Sequence, residues 1–204
     1  SRNRARSYER WVKAHALTKV ERAGFGTIRK WANTRERKLR YDPRLSRVAR
    51  ALLPTLDPGN PGSISHQTAR LYTYQWGITD GQLATVVVQI PRGQSLHSAM
   101  NAELNREVNR LDVNRVGLAI KTSRQERTVI VLFTRREIQL SLVPAQIAPQ
   151  RTITLRGRIL GEHATKTQLT MAVGMTDGRV IRKQIPHSRG KFTYRFRSEK
   201  GRGI

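Results

Sequence analysis

The side chains in this sequence with the most chemistry to offer are its arginines and lysines, and they crowd its two ends. Near the start, Arg2, Arg4, Arg6, Arg10, Lys13, Arg29, Lys30, Arg35, Arg37, Lys38 and Arg40 are interleaved with Tyr8, Trp11, Phe25 and Trp31. A guanidinium fork donates parallel hydrogen bonds to phosphate or carboxylate, and an aromatic face can stack on a nucleobase, so this stretch reads as an anion-binding surface. Near the end, Arg179, Arg182, Lys183, Arg195 and Arg197 occupy strand positions and turns that would project positive charge from a sheet. Each cluster also has a plainer reading. The tryptophans can be core anchors among solvated cations, and the C-terminal charges can protect a sheet edge from pairing. An anionic membrane is a poorer match for the first stretch, because its apolar face is weak.

Other chemistry finds little support. The five histidines, His15, His66, His97, His163 and His187, form neither HxxxH nor HExxH, the spacings that place two imidazoles on one metal. No Gly-x-Ser-x-Gly elbow marks a nucleophile, and Gly24-Phe-Gly26 and Gly59-Asn-Pro-Gly62 lack the spacing and the following Lys-Ser or Lys-Thr of a phosphate cradle. There is no Cys, which removes disulfides, thiolate nucleophiles and cysteine metal sites. The expectation is a protein without catalytic residues, cofactor or metal.

Charge sets the class of partner. Lys plus Arg number 39 against 14 Asp plus Glu, a formal net charge of +25 in 204 residues. Such a surface draws in phosphate backbones, anionic headgroups and acidic glycans by steering and counterion release. The surplus falls on residues 1–50 and 151–204, whereas residues 51–100 carry as many acids as bases. Hydrophobic residues make up 37%, enough for one modest core and a smaller one. No apolar run approaches the roughly 18 residues of a bilayer span. The opening Ser1-Arg2-Asn3-Arg4 lacks a signal peptide's apolar stretch, so an exported form would be mature or a fragment.

The elements that must position these groups follow from periodicity and punctuation. Residues 6–22 predict a loosely amphipathic helix closed by Gly24 and Gly26, and residues 27–38 a second basic helix. Asp42 as N-cap, Pro43 at the first position and Leu45, Val48, Ala49 and Leu52 on one face predict a helix over 43–53. Residues 65–76 predict another, stopped at Gly77. The β-branched run 84–90 predicts a strand buried on both faces in the middle of a sheet. Ser95 caps a helix to about Asn109, and residues 116–120 and 128–133 form a hairpin around the polar turn 122–127. Residues 144–150 read as a linker, with Pro144 and Pro149 stiffening it. Beyond it, period-two alternation predicts about four antiparallel strands, whose open edges invite strand addition by another chain. The expected organisation is a basic helical segment 1–40, a domain 41–143, a linker 144–150 and a small β module 151–204.

Lys38-Leu-Arg-Tyr-Asp-Pro-Arg-Leu-Ser-Arg-Val-Ala-Arg50, preceded by Ala32-Asn33-Thr-Arg-Glu36, resembles the first helices of bacterial CAP-superfamily domains, the fold of cysteine-rich secretory and pathogenesis-related proteins. Asn114-Arg-Val-Gly-Leu-Ala-Ile120, residues 128–133, Arg135-Arg136 and Leu155-Arg-Gly-Arg-Ile-Leu160 look like the rest of such a domain and a following immunoglobulin-like module. The resemblance implies an α+β chain: an α–β–α sandwich followed by a small antiparallel β-sandwich. The family's usual cleft holds two histidines and two acids. Here His66 and His97 occupy comparable places as a possible cleft, with no acid set beside them by any motif, so the tetrad is not carried over.

The reading that combines these features is a non-enzymatic binding or structural protein of the bacterial cell envelope or exterior. Its basic ends would engage a polyanion, whether acidic glycan, lipopolysaccharide or nucleic acid, or acidic protein subunits. One alternative is a cytoplasmic nucleic-acid-associated structural protein. A lesser one is a hydrolase using a divergent cleft.

Overall fold

The computed structural model describes residues 17–56, 63–78, 80–141, 150–160, 167–174 and 178–197. They fall into two compact units that meet in sequence between Arg136 and Glu137.

The first unit begins with α1, Lys19–Asn33. Thr18 and Glu21 form a reciprocal capping box, the Thr18 side chain accepting from the Glu21 N–H while the Glu21 carboxylate accepts from the Thr18 N–H. The helix runs straight through Gly24 and Gly26, which corrects the expected break there. A Cβ on Gly24 would press on the side chains of Ile120 and Leu118 at 3.0 Å, so the glycine is where the helix lies against a strand. Burial of Ile28 and Trp31 on the same side offsets the roughly 1 kcal/mol that a helical glycine costs. Residues 1–16, including most of the expected first helix, lie outside the described residues.

Arg40–Tyr41 make a short strand, β1, and Asp42 caps α2, Pro43–Leu52, by accepting from the Arg44 N–H. Then come α3, His66–Gln75; β2, Gln82–Pro91; α4, Leu96–Glu107; β3, Arg115–Thr122; and β4, Glu126–Arg135. The sheet order is β1-β3-β4-β2, with β4 antiparallel to both neighbours and β1 parallel to β3.

Alternate side chains of the sheet feed two cores. On one face Val116, Leu118, Val129, Val131 and Phe133 meet Ile28 and Trp31 of α1 and Met100 and Leu104 of α4. On the other, Ala119, Ile130 and Leu132 meet Leu45, Val48, Ala49 and Leu52 of α2 and Ala69 of α3. Gly117 allows this second contact, because any Cβ there would collide with the Leu45 and Ser46 backbone. The space is used by a hydrogen bond from the Leu118 N–H to the Ser46 hydroxyl, 3.0 Å. The result is an α–β–α sandwich, and the chain is of mixed α+β class as expected. One strand assignment changes. The run 84–90 belongs to the edge strand β2, with only one face fully buried, while the centre is β4, buried without interruption over residues 128–134.

The second unit contains β5, Ile138–Leu140; β6, Thr152–Ile159; β7, Leu169–Gly174; β8, Val180–Ile185; and β9, Lys191–Arg197. They pair antiparallel as a three-stranded sheet, β5-β6-β9, and a two-stranded one, β7-β8. Ile153, Ile159, Ile185 and Phe192 are its buried side chains. Two expected boundaries move. Residues 138–140 pair with β6 and so belong to this unit, and α1 lies in the core of the first unit instead of forming a separate basic segment. Most of the expected linker lies outside the described residues.

Candidate anion-binding surfaces

The nominated N-terminal cations divide by what surrounds them. Arg2, Arg4, Arg6, Arg10 and Lys13 lie outside the described residues. Arg29 and Lys30 stand exposed on the outer face of α1, and Lys38 and Arg40 are exposed beside β1.

Arg35 and Arg37 are engaged by the protein itself. Arg35 donates to Asn105 Oδ1 at 2.7 Å, Asn109 Oδ1 at 3.0 Å and the Trp31 carbonyl at 3.2 Å. Arg37 donates to the carbonyls of Val108, Leu111 and Asn109 in the turn that follows α4. Both guanidiniums also lie on the Trp31 ring, 5.0 and 5.3 Å from its centroid. Trp31 is 3% exposed, its indole N–H donating to Asn105 at 2.8 Å, and Phe25 packs edge-on against Tyr41. Neither aromatic is presented for base stacking.

At the C-terminal cluster the cations are sorted by strand register. Arg182 and Lys183 are neighbours on β8, so they point to opposite faces of the two-stranded sheet. Arg195 and Arg197 belong to the other sheet, where they are exposed together with Lys191. Arg179 precedes β8 and is exposed. The register Arg195↔Thr154, Thr193↔Arg156 and Lys191↔Arg158 places Arg156 and Arg158 on the same exposed face as Lys191, Arg195 and Arg197. Directly opposed residues on one face have Cβ atoms about 5 Å apart. The β6–β9 face is therefore a plate of five cations separated by Thr152, Thr154 and Thr193, and neither strand contains an acid. Gln139 braces Arg158 at 2.9 Å, and the Gln150 carbonyl braces Arg197 at 3.2 Å. Arg156 and Arg158 are legible as alternation within residues 152–159, but only pairing with β9 sums them with the terminal cluster.

A different set of charges is buried in the first unit. Glu21, 2% exposed, receives Arg50 at 2.8 and 3.0 Å, tying α1 to α2. Burial works against ionising Glu21, but hydrogen bonds from Arg50 and Thr18 outweigh it and hold the carboxyl below its ordinary range. Asp42 is likewise buried and likewise lowered, with Arg44 at 3.0 Å as its counter-ion. Asp80 accepts from Thr134 at 2.6 Å and Arg136 at 3.3 Å, while Asn114 clasps the Arg136 backbone through both amide atoms. Burial, with repulsion from Arg136 and Arg40, lowers the Arg115 guanidinium from its ordinary value despite Asp42 and Asp80 nearby. The Asp42, Asp80, Asn114, Arg115 and Arg136 groups close one end of the sheet, where β1, β2 and β3 begin and β4 finishes.

His66 and His97 do not share a cleft. His66 opens α3 and His97 lies in the first turn of α4, and those helices cover opposite faces of the sheet. His97 contacts Thr27 Oγ1 at 3.3 Å and the Asn101 amide at 3.0 Å, and His66 accepts from Arg70 at 3.4 Å. Among the described residues no group of three His, Asp or Glu side chains could hold a metal ion. Among them, too, no helix is long and apolar enough to cross a membrane.

No protein-family model and no curated protein sequence matches the chain. Among solved structures it is similar to an outer surface protein from Borrelia burgdorferi, at 19% identity and a TM-score of 0.43, over 61% of this chain and 99% of that one.

Proposed function

We propose that this chain is a non-enzymatic binding or structural protein of the bacterial cell envelope or exterior that holds an anionic polymer such as an acidic glycan or lipopolysaccharide. The observation that carries the reading is the β6–β9 face, where Arg156, Arg158, Lys191, Arg195 and Arg197 converge with no acid on either strand. A row of guanidiniums at strand spacing matches a polymer with regularly repeated negative groups, and intervening threonine hydroxyls suit polar chains between those groups. The three most buried acids of the first unit are paired internally, at Glu21–Arg50, Asp42–Arg44 and Asp80–Arg136, so these three neutralise little of the exposed charge. Burial of Trp31 and packing of Phe25 weigh against the nucleic-acid alternative, since base stacking would need such rings presented to solvent. The α–β–α order supports membership of the CAP superfamily as part of the same proposal, and the envelope setting rests on that resemblance.

The test is equilibrium binding to lipopolysaccharide, peptidoglycan, RNA and DNA across a salt series. Lipopolysaccharide or peptidoglycan is expected to bind with log K falling linearly with log salt, and Arg156→Gln with Arg195→Gln to flatten that slope. A steep slope for nucleic acid alone would transfer the assignment to the alternative. Equal weak binding to all four would remove both.

A further inference from the structure

The first unit carries cations of another kind at the opposite end of its sheet from the Asp42–Arg44 and Asp80–Arg136 pairs. Around the β3–β4 turn a cavity of about 330 Å³ is lined by Arg92, Thr122, Ser123, Arg124, Glu126 and Arg127. That lies near the lower end of the roughly 300–1,000 Å³ typical of small-molecule sites. We infer that this cavity binds the phosphoryl group of a phosphorylated sugar or polyol.

Three observations support this assignment. First, Arg92, Arg124 and Arg127 make no side-chain hydrogen bond or ion pair among the described residues, unlike Arg35, Arg37, Arg44, Arg50 and Arg136 in the same unit. Three exposed guanidinium forks with no protein acceptor among the described residues, set around one cavity, match the tetrahedral oxygens of phosphate. Second, the backbone that carries them is already locked. Ser123 Oγ accepts from the Gln125 and Glu126 N–H groups at 3.3 and 3.1 Å, the Ser123 N–H donates to the Glu126 carbonyl at 2.8 Å, and the Arg92 N–H donates to the Gln125 carbonyl at 2.8 Å. Ordering the loop around a ligand therefore costs little. Third, Thr122 pairs directly with Arg127 in the β3–β4 register and so shares its face, whereas Glu126 and its partner Thr128 lie on the other face of the hairpin. Arginines for the phosphoryl group and the Thr122 hydroxyl for the carrier divide the cavity into two chemistries.

The proposed polymer would supply such a unit, so the choice of ligand rests on the function proposed above, whereas the cavity does not. The experiment is an amide chemical-shift titration of the full chain with glucose 6-phosphate, glucose and inorganic phosphate. Saturable shifts at residues 92 and 122–127 are expected for glucose 6-phosphate, with roughly ten-fold weaker binding of glucose and of inorganic phosphate. Arg124→Gln combined with Arg127→Gln, both exposed, is expected to weaken glucose 6-phosphate by at least about ten-fold while the remaining spectrum superimposes on the parent's. Absence of saturable hairpin shifts, or unchanged affinity in the double variant, overturns the site. Inorganic phosphate binding as tightly as glucose 6-phosphate overturns the sugar or polyol carrier. Hairpin binding of glucose 6-phosphate in a protein that ignores every polymer would sink the function proposed above and leave this site standing.

Discussion

The loop after α1 and the β6–β9 face are both rich in arginine, yet they use it in opposite ways. In the first, Arg35 and Arg37 are held over Trp31 and direct their donors to Asn105, Asn109 and the carbonyls of the turn after α4. In the second, Arg156 and Arg195 stand in solvent on strands without acids. The difference lies in what the fold brings within reach. An irregular turn leaves carbonyl lone pairs and amide side chains that a guanidinium can reach, whereas the outer face of an antiparallel sheet has its backbone groups already paired and offers a cation little but water. Arginine content therefore reports function only where the scaffold has left the donors over.

That contrast can be broken at its scaffold side with the largest effect. Glu21→Ala strands Arg50 and removes a capping box, and it is expected to cost about 3 kcal/mol or more, read as a lowered urea midpoint, with no change in polymer affinity. A loss under about 1 kcal/mol would show that the α1–α2 bridge is dispensable.

Acid acts on the same groups. The Glu21 and Asp42 carboxyls titrate below their ordinary ranges in the folded chain, so unfolding takes up protons as pH falls. Their stabilisation is complete above the ordinary carboxylate pKa of about 4 and is lost progressively as pH drops through the lowered folded values. Thermal melts of Glu21→Gln should lose part of this acid dependence, and parallel pH profiles for variant and parent would contradict it.

Arg37→Ala should cost about 1–2 kcal/mol by releasing the turn after α4, again leaving polymer binding intact. A loss of affinity without a loss of stability would return Arg37 to the binding surface. The smallest stability change, within about 0.5 kcal/mol, is expected for Arg156→Gln with Arg195→Gln, because both are exposed. Here the polymer affinity is what falls, and its salt slope shrinks by about one per removed cation. A destabilised variant with unaltered binding would erase the distinction between the two regions.

Much of the first unit is legible from local signals. Asp42-Pro43 starts α2, Ser65 and Ser95 cap α3 and α4, and the hairpin turn lies where polar residues interrupt two β-branched runs. The start of α1 is less plain. Thr18 and Glu21 are a capping-box signal, but Gly24 and Gly26 read as a stop until Ile120 and Leu118 are known to lie over Gly24. The cavity arginines are hidden for a different reason. Arg92 precedes Arg124 and Arg127 by a whole helix and strand, in a stretch whose charge is balanced overall, and only the antiparallel pairing of β2 with β4 brings them together.

By itself the sequence determined the alternation of helices and strands, the mixed α+β class and the surplus of positive charge, because caps, breakers, hydrophobic period and ionisable groups are local properties of the chain. The tertiary structure alone decided which cations remain available to a ligand. It placed β4 and not β2 at the centre of the sheet, put His66 and His97 on opposite faces, turned Arg35 and Arg37 inward onto Trp31 and α4, and set Arg156 beside β9. Each of these depends on which acceptors and which strand lie within a few ångströms of a side chain, and that distance is fixed by packing between segments far apart in sequence.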